Sequence, residues 1–162
     1  MADRAFAALF RYGLAMDTAR AFLVCTYGVM PAWLLLAFAP QWPWTQRLVH
    51  SLLIPLLLVP VYVGGLVLSG GGPEGASFST LPGVMALFTD PLTVLAGWVH
   101  YLIFDLFIGA WEVRDARRRA IPHGYVIPCL LLTLMVGPVG LAAYLLLRLA
   151  LRGEWRLTEE LA

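Results

Sequence analysis

The sequence predicts an all-α integral membrane protein with four transmembrane helices, an N-terminal amphipathic segment and a short interfacial helix between helices 2 and 3. Three observations predict it. Of the 162 residues, 60% are hydrophobic and 13% charged, whereas a soluble domain is about 45–50% apolar and about 25% charged. The mean hydropathy is +0.80. Four stretches come close to or exceed the roughly 20 apolar residues that cross about 30 Å of hydrocarbon as a helix. The same composition excludes a disordered chain, a collagen and a disulfide-stapled secreted scaffold. One domain is expected over residues 1–162.

The spans are expected at about 20–39, 48–69, 91–111 and 123–148. The first starts after Arg20 and stops at Pro40-Gln41-Trp42-Pro43-Trp44, where two indoles suit the interface between hydrocarbon and headgroups. The second carries no Asp, Glu, Lys or Arg, and its Pro55 and Pro60 predict a kink, since each removes a helical donor. Ser69-Gly70-Gly71-Gly72-Pro73-Glu74-Gly75 reads as a loop. Residues 78–89 are mildly apolar but too short to span, and fit the interfacial helix. The third span is interrupted by His100 and Asp105, and the fourth carries Pro128 and Pro138. Residues 1–20 place Phe6, Leu9, Phe10 and Leu14 between three arginines, the pattern of a helix lying on headgroups.

The front of the chain does not fit a cleaved signal, nor a Ser/Arg-rich transit peptide, so a bacterial inner membrane is the expected location. The arginines divide six to five between the two sides of a four-span topology, which leaves the direction of insertion open. A net charge of +1 gives nothing for nucleic acid to bind. Cys25 and Cys129 stand in apolar runs and read as buried free thiols.

Asp105 is the most informative residue. A carboxylate inside a span costs several kcal/mol unless it is paired, hydrated or protonated, and such acids usually face the bundle interior. Fastening two helices by a hydrogen bond is the plain alternative. Helical spacing puts Trp98, Tyr101, Asp105 and Glu112 on one stripe, and His100, Phe104, Phe107 and Trp111 on another. The second stripe could line a groove for a flat or polyene ligand, or could simply meet lipid. His100 and Asp105 are about 140° apart around the helix, so they are no local acid–base pair. Beyond the span, Asp115 and Arg119 can pair at i, i+4, and the arginines around them read as a solvated end on anionic headgroups. Pro122 suits the first turn of the next helix and puts His123 near its positive end. Gly137-Pro138-Val139-Gly140 combines close-approach glycines with a kinking proline, expected to pack tightly on the third helix. Arg148 ends the apolar run and can reach headgroups. No metal site is expected, because His50, His100, His123 and Asp105 have no ligand spacing.

The strings Gly97-Trp98-Val99-His100-Tyr101 through Asp105 to Gly109, Arg114-Asp115, Ile121-Pro122-His123, Gly137-Pro138-Val139-Gly140 and Tyr144 to Arg148 strongly resemble the ABA4-like membrane family over residues 84–148. Its plant founding member is associated with making neoxanthin from violaxanthin. That is an intramolecular isomerisation in which an epoxide opens, a proton leaves the neighbouring polyene and an allene forms. The resemblance implies a carotenoid-like or other long isoprenoid ligand held in membrane lipid, with no cofactor required. Residue chemistry is compatible with that class: a buried, protonated Asp105 is expected as acid, His100 or His123 as base, and Trp98, Tyr101, Phe104, Phe107 and Trp111 as substrate contacts. Asp115, Arg119, Gly137, Pro138 and Gly140 then form the supporting polar and packing network. A non-catalytic pigment or lipid binder and, more remotely, a small carrier are the other readings, and a homo-oligomer stays open.

Overall fold

The computed structural model describes residues 17–157, and the amphipathic reading of the N-terminal segment falls largely outside them. Among the described residues every regular element is helical: α1 (17–28), α2 (Met30–Phe38), α3 (Pro43–Leu48), α4 (Leu53–Leu68), α5 (Leu81–Leu87), α6 (Pro91–Arg118) and α7 (His123–Arg152). Four helical stretches are long and apolar enough to cross a membrane: Asp17–Phe38, Pro43–Leu68, Pro91–Arg118 and His123–Arg152. Only 11% of the most apolar window of the second is buried within the protein. Leu56, Leu57 and Val67 therefore point outward, an arrangement that calls for an apolar surrounding.

The chain forms two compact units. Among the described residues the first comprises 17–28 and Pro55–Leu102. Here α4 meets α6 through small residues: a Cβ on Gly65 would lie 3.0 Å from the Leu92 carbonyl oxygen and 3.3 Å from the Ala96 Cβ. Thr26 joins α1 to α6, its hydroxyl donating to the Phe22 carbonyl (2.7 Å) and accepting from the Trp98 indole (2.8 Å). The glycine loop is present, with Gly70, Gly71, Gly72 and Gly75 all at positive φ. α5 starts where the Thr80 hydroxyl accepts the Gly83 N–H (3.2 Å), the usual service of an N-cap. α6 starts in the same way, on the Asp90 carboxylate and Pro91.

Among the described residues the second unit comprises Val29–Ile54 and 103–157. The first span is interrupted by a turn at Val29, and α2 restarts with Pro31 in its first turn, a position proline favours. In the second span the break lies at residues 49–52. There Ser51 takes the Leu53 N–H (3.2 Å) and donates to the Leu48 carbonyl (3.0 Å). Pro55 itself sits in the first turn of α4. Buried Thr45 donates to the Ala39 carbonyl (2.7 Å) and fastens the link before α3. α2 packs on α6 where Gly109 leaves room for the Trp33 ring, which would lie 2.7 Å from an added Cβ.

α6 runs seven residues beyond the expected end at 111, because Glu112, Val113, Asp115 and Ala116 are buried and keep the helix inside the protein. α7 is kinked at Val136 (φ −145°, ψ 55°), two residues before Pro138, which has no N–H to give the preceding turn. The kink folds Gly140 back on Thr133, and a side chain at Gly140 would overlap the Thr133 backbone.

Between α6 and α7 the chain turns through Ala120 at φ 51°. The Ile121 N–H reaches back to the Ala116 carbonyl (2.8 Å) and the Ala120 N–H to that of Arg117 (3.2 Å). That is the glycine-type helix stop, made here with an alanine whose Cβ strains the left-handed backbone. Ala120→Gly should stabilise the protein by about 0.5–1 kcal/mol, read as a higher midpoint of thermal unfolding in detergent. An unchanged or lower midpoint would remove the strain argument.

Candidate functional site

Two groups of polar side chains in the second unit lie along the α6–α7 contact. The first is a charge cluster around Asp115, itself 1% exposed. Arg119, one turn on, donates its Nε to both carboxylate oxygens (3.0 and 3.1 Å). From α7, the Tyr144 hydroxyl donates to Oδ2 (2.7 Å) and the Arg148 guanidinium stands 3.4 Å away. Arg118 flanks the pair at 3.7 Å. After the left-handed stop at Gly153 the chain returns, so that Glu154 pairs with both Arg119 and Arg148, and the Arg156 carbonyl accepts from Arg148. Two buried guanidiniums thus meet two carboxylates, which is what makes charge burial tolerable. Trp111 closes the cluster with its ring edge-on to Tyr144, centroids 5.6 Å apart.

The second group lies further along the same helices. Glu112 is wholly buried and accepts from the Thr133 hydroxyl (2.9 Å). Its other oxygen, Oε2, is buried without a hydrogen-bond partner among the described residues. Seven residues earlier, Asp105 is half-buried, and its carboxylate fills the space opposite Gly137, where a Cβ would lie 2.5 Å from Oδ1. The expected tight packing of the glycine–proline segment on the third span is therefore directed at Asp105.

Asp105 and His123, expected as acid and alternative base, stand apart within the second unit. His123 begins α7 and donates Nε2–H to the Ala37 carbonyl (2.9 Å). It stands 14 residues before Gly137 on the same helix, roughly 21 Å by helical rise from the place where Asp105 packs. His100 belongs to the first unit, exposed, with its ring 6.0 Å from that of Tyr62. Trp98 and Tyr101 are half-buried there, rings 5.2 Å apart, with Trp98 also on Phe22 at 5.1 Å. Phe104 and Phe107 are 55% and 57% exposed and face outward.

Two readings of the arginines are corrected. Asp115 and Arg119 do pair at i, i+4, but inside the protein rather than on a solvated end, because Tyr144 and Arg148 cover them. Arg148 does not reach out to headgroups. It is 1% exposed, and Asp115 and Glu154 draw it inward. Sequence reasoning did not select Glu112, Thr133, Tyr144, Arg148 or Glu154 as site residues. The available signals were the seven-residue spacing of Asp105 and Glu112 and the i, i+4 spacing of Tyr144 and Arg148 in an otherwise apolar run. Among the described residues no three His, Cys, Asp or Glu side chains are placed to hold a metal ion.

Fold and site together define an all-helical chain with four helices fit to cross a membrane and a buried charge cluster locking the last two. It belongs to the ABA4-like family, whose profile, described as ABA DEFICIENT 4-like, matches residues 20–144. It is similar to Protein ABA DEFICIENT 4, chloroplastic, of Arabidopsis thaliana, with 24% identity over 143 residues. That alignment covers 83% of this chain and 63% of the plant protein, so the chain spans under two thirds of its relative's length. No solved structure matches.

Gly137→Ala should destabilise the protein by about 1–3 kcal/mol through collision with Asp105. Asp105→Ala in the same chain should recover most of that loss, measured as unfolding midpoints in detergent. Equal loss in both backgrounds would separate the two residues. Asp115→Ala, which strands two buried arginines, should cost about 3–5 kcal/mol. Tyr144→Phe should cost about 1 kcal/mol.

Proposed function

We propose that this chain acts in the membrane on a carotenoid or related isoprenoid, isomerising an epoxide-bearing end group to an allene, with the bacterial inner membrane as its location. The observation that carries the reading is the half-buried carboxyl of Asp105, set within a span by Gly137 on a helix that turns Phe104 and Phe107 outward. On the same helix, one and two residues from the acid, Phe104 and Phe107 offer exposed aromatic surface to a polyene. Family membership and the resemblance of the Asp105 string support this choice of substrate class.

One carboxyl suffices for the chemistry. Asp105 gives its proton to the epoxide oxygen as the C–O bond breaks. The resulting carboxylate takes the proton leaving the neighbouring polyene carbon, and the C–H electron pair becomes the new double bond of the allene. The proton returns to its origin, so acid and base are the same group in succession. This economy agrees with the distance between Asp105 and His123. That same distance favours a second reading, in which the chain holds a pigment or lipid without altering it.

Liquid chromatography of pigments from violaxanthin-producing cells tests the proposal. Expression should yield a product of equal mass with one conjugated double bond fewer, and folded Asp105→Asn should lose it. The same product from folded Asp105→Asn would remove Asp105 from the mechanism. Pigment that copurifies unchanged would establish the second reading.

A further inference from the structure

A cavity of about 330 Å³ opens in the second unit among the link before α3, the last turn of α6 and the start of α7. Its polar wall is formed by Arg114, Arg117, His50, His123, Gln41 and Gln46, and among the described residues no carboxylate lines it. This distinguishes it from the neighbouring charge cluster, where Arg119 and Arg148 have acidic partners. Arg117 is exposed at the cavity and pairs with no carboxylate among the described residues.

The state of His50 follows from its neighbour. Arg114 Nη1 lies 2.9 Å from His50 Nδ1, and a guanidinium has only donors. Nδ1 is therefore the acceptor, and the ring proton sits on Nε2. That N–H is buried and has no hydrogen-bond partner among the described residues. A buried donor left unmade costs about 1–3 kcal/mol, and an oxygen acceptor in the cavity would satisfy it. α7 adds to the demand, since Pro122 caps it without a side-chain hydrogen bond. Pro122 and His123 at its start line the cavity, which brings the positive end of its dipole there. The opposing negative end of α6 is occupied by the Ala120 and Ile121 N–H groups.

We infer that this cavity binds a phosphate-bearing anion. The links that build it join the first span to the second and the third to the fourth, so its walls are span ends. Trp42 and Trp44, about half exposed, flank the same link, as aromatics do at headgroup level. A phospholipid headgroup and a free phosphate share the chemistry; the span ends and indoles favour the headgroup. The inference does not depend on the isomerase reading.

The test uses the full chain in zwitterionic detergent. Binding of dihexanoyl phosphatidic acid, dihexanoyl phosphatidylcholine and inorganic phosphate is followed by tryptophan fluorescence and native mass spectrometry. Phosphatidic acid should bind well above phosphatidylcholine. Arg117→Gln should weaken it about tenfold or more, and His50→Gln should weaken it as well, in line with charge-assisted hydrogen bonds. Arg117→Lys should retain most of the affinity. If inorganic phosphate binds as well as the lipid and is lost in the same variants, the site is upheld with a soluble anion as its ligand. Equal binding of the two lipids with no binding of phosphate, or affinities unmoved in both glutamine variants, would overturn it.

Discussion

Asp115 is the constraint on which the second unit depends. One carboxylate on α6 receives a guanidinium from its own helix, a second guanidinium and a phenol from α7, and shares those arginines with Glu154. In apolar surroundings each of these groups is costly alone, because it loses the water that would have solvated it. Together they fix where α7 lies along α6. Once that register is set, Thr133 falls opposite Glu112 and Gly137 opposite Asp105. The placement of the candidate acid thus follows from a charge cluster about three turns away.

Within this arrangement the acids have separate duties. Asp115 is saturated by donors and holds structure. Glu112 keeps one oxygen on Thr133, deep inside. Asp105 is the one whose surroundings are formed by the absence of a side chain, at Gly137, and whose burial is incomplete. A group that must meet a guest needs this combination of fixed position and remaining access, and it is why the functional proposal centres on Asp105.

The helices were largely legible in the sequence because spanning segments are set by length and apolarity, properties of contiguous residues. The kink at Pro138 and the pair Asp115–Arg119 were legible for the same reason, since their causes lie within one turn. The end of α6 was misjudged because charge near 112–118 looked like exit from the membrane, whereas partners on α7 draw those residues inward. Tyr144 and Arg148 lie 29 and 33 residues from Asp115, and no local pattern reports such a meeting. Nor does composition reveal that the arginines divide into a neutralised set and a set lining a cavity. That division depends on which face of α6 meets α7.

The return of the chain after Gly153 bears on biosynthesis. Glu154 leaves the ribosome after every residue of α6 and α7, so the buried Arg119 and Arg148 share the single carboxylate of Asp115 until that later one arrives. Insertion of the last two helices can precede their final docking, and locking waits for the residues that follow Gly153.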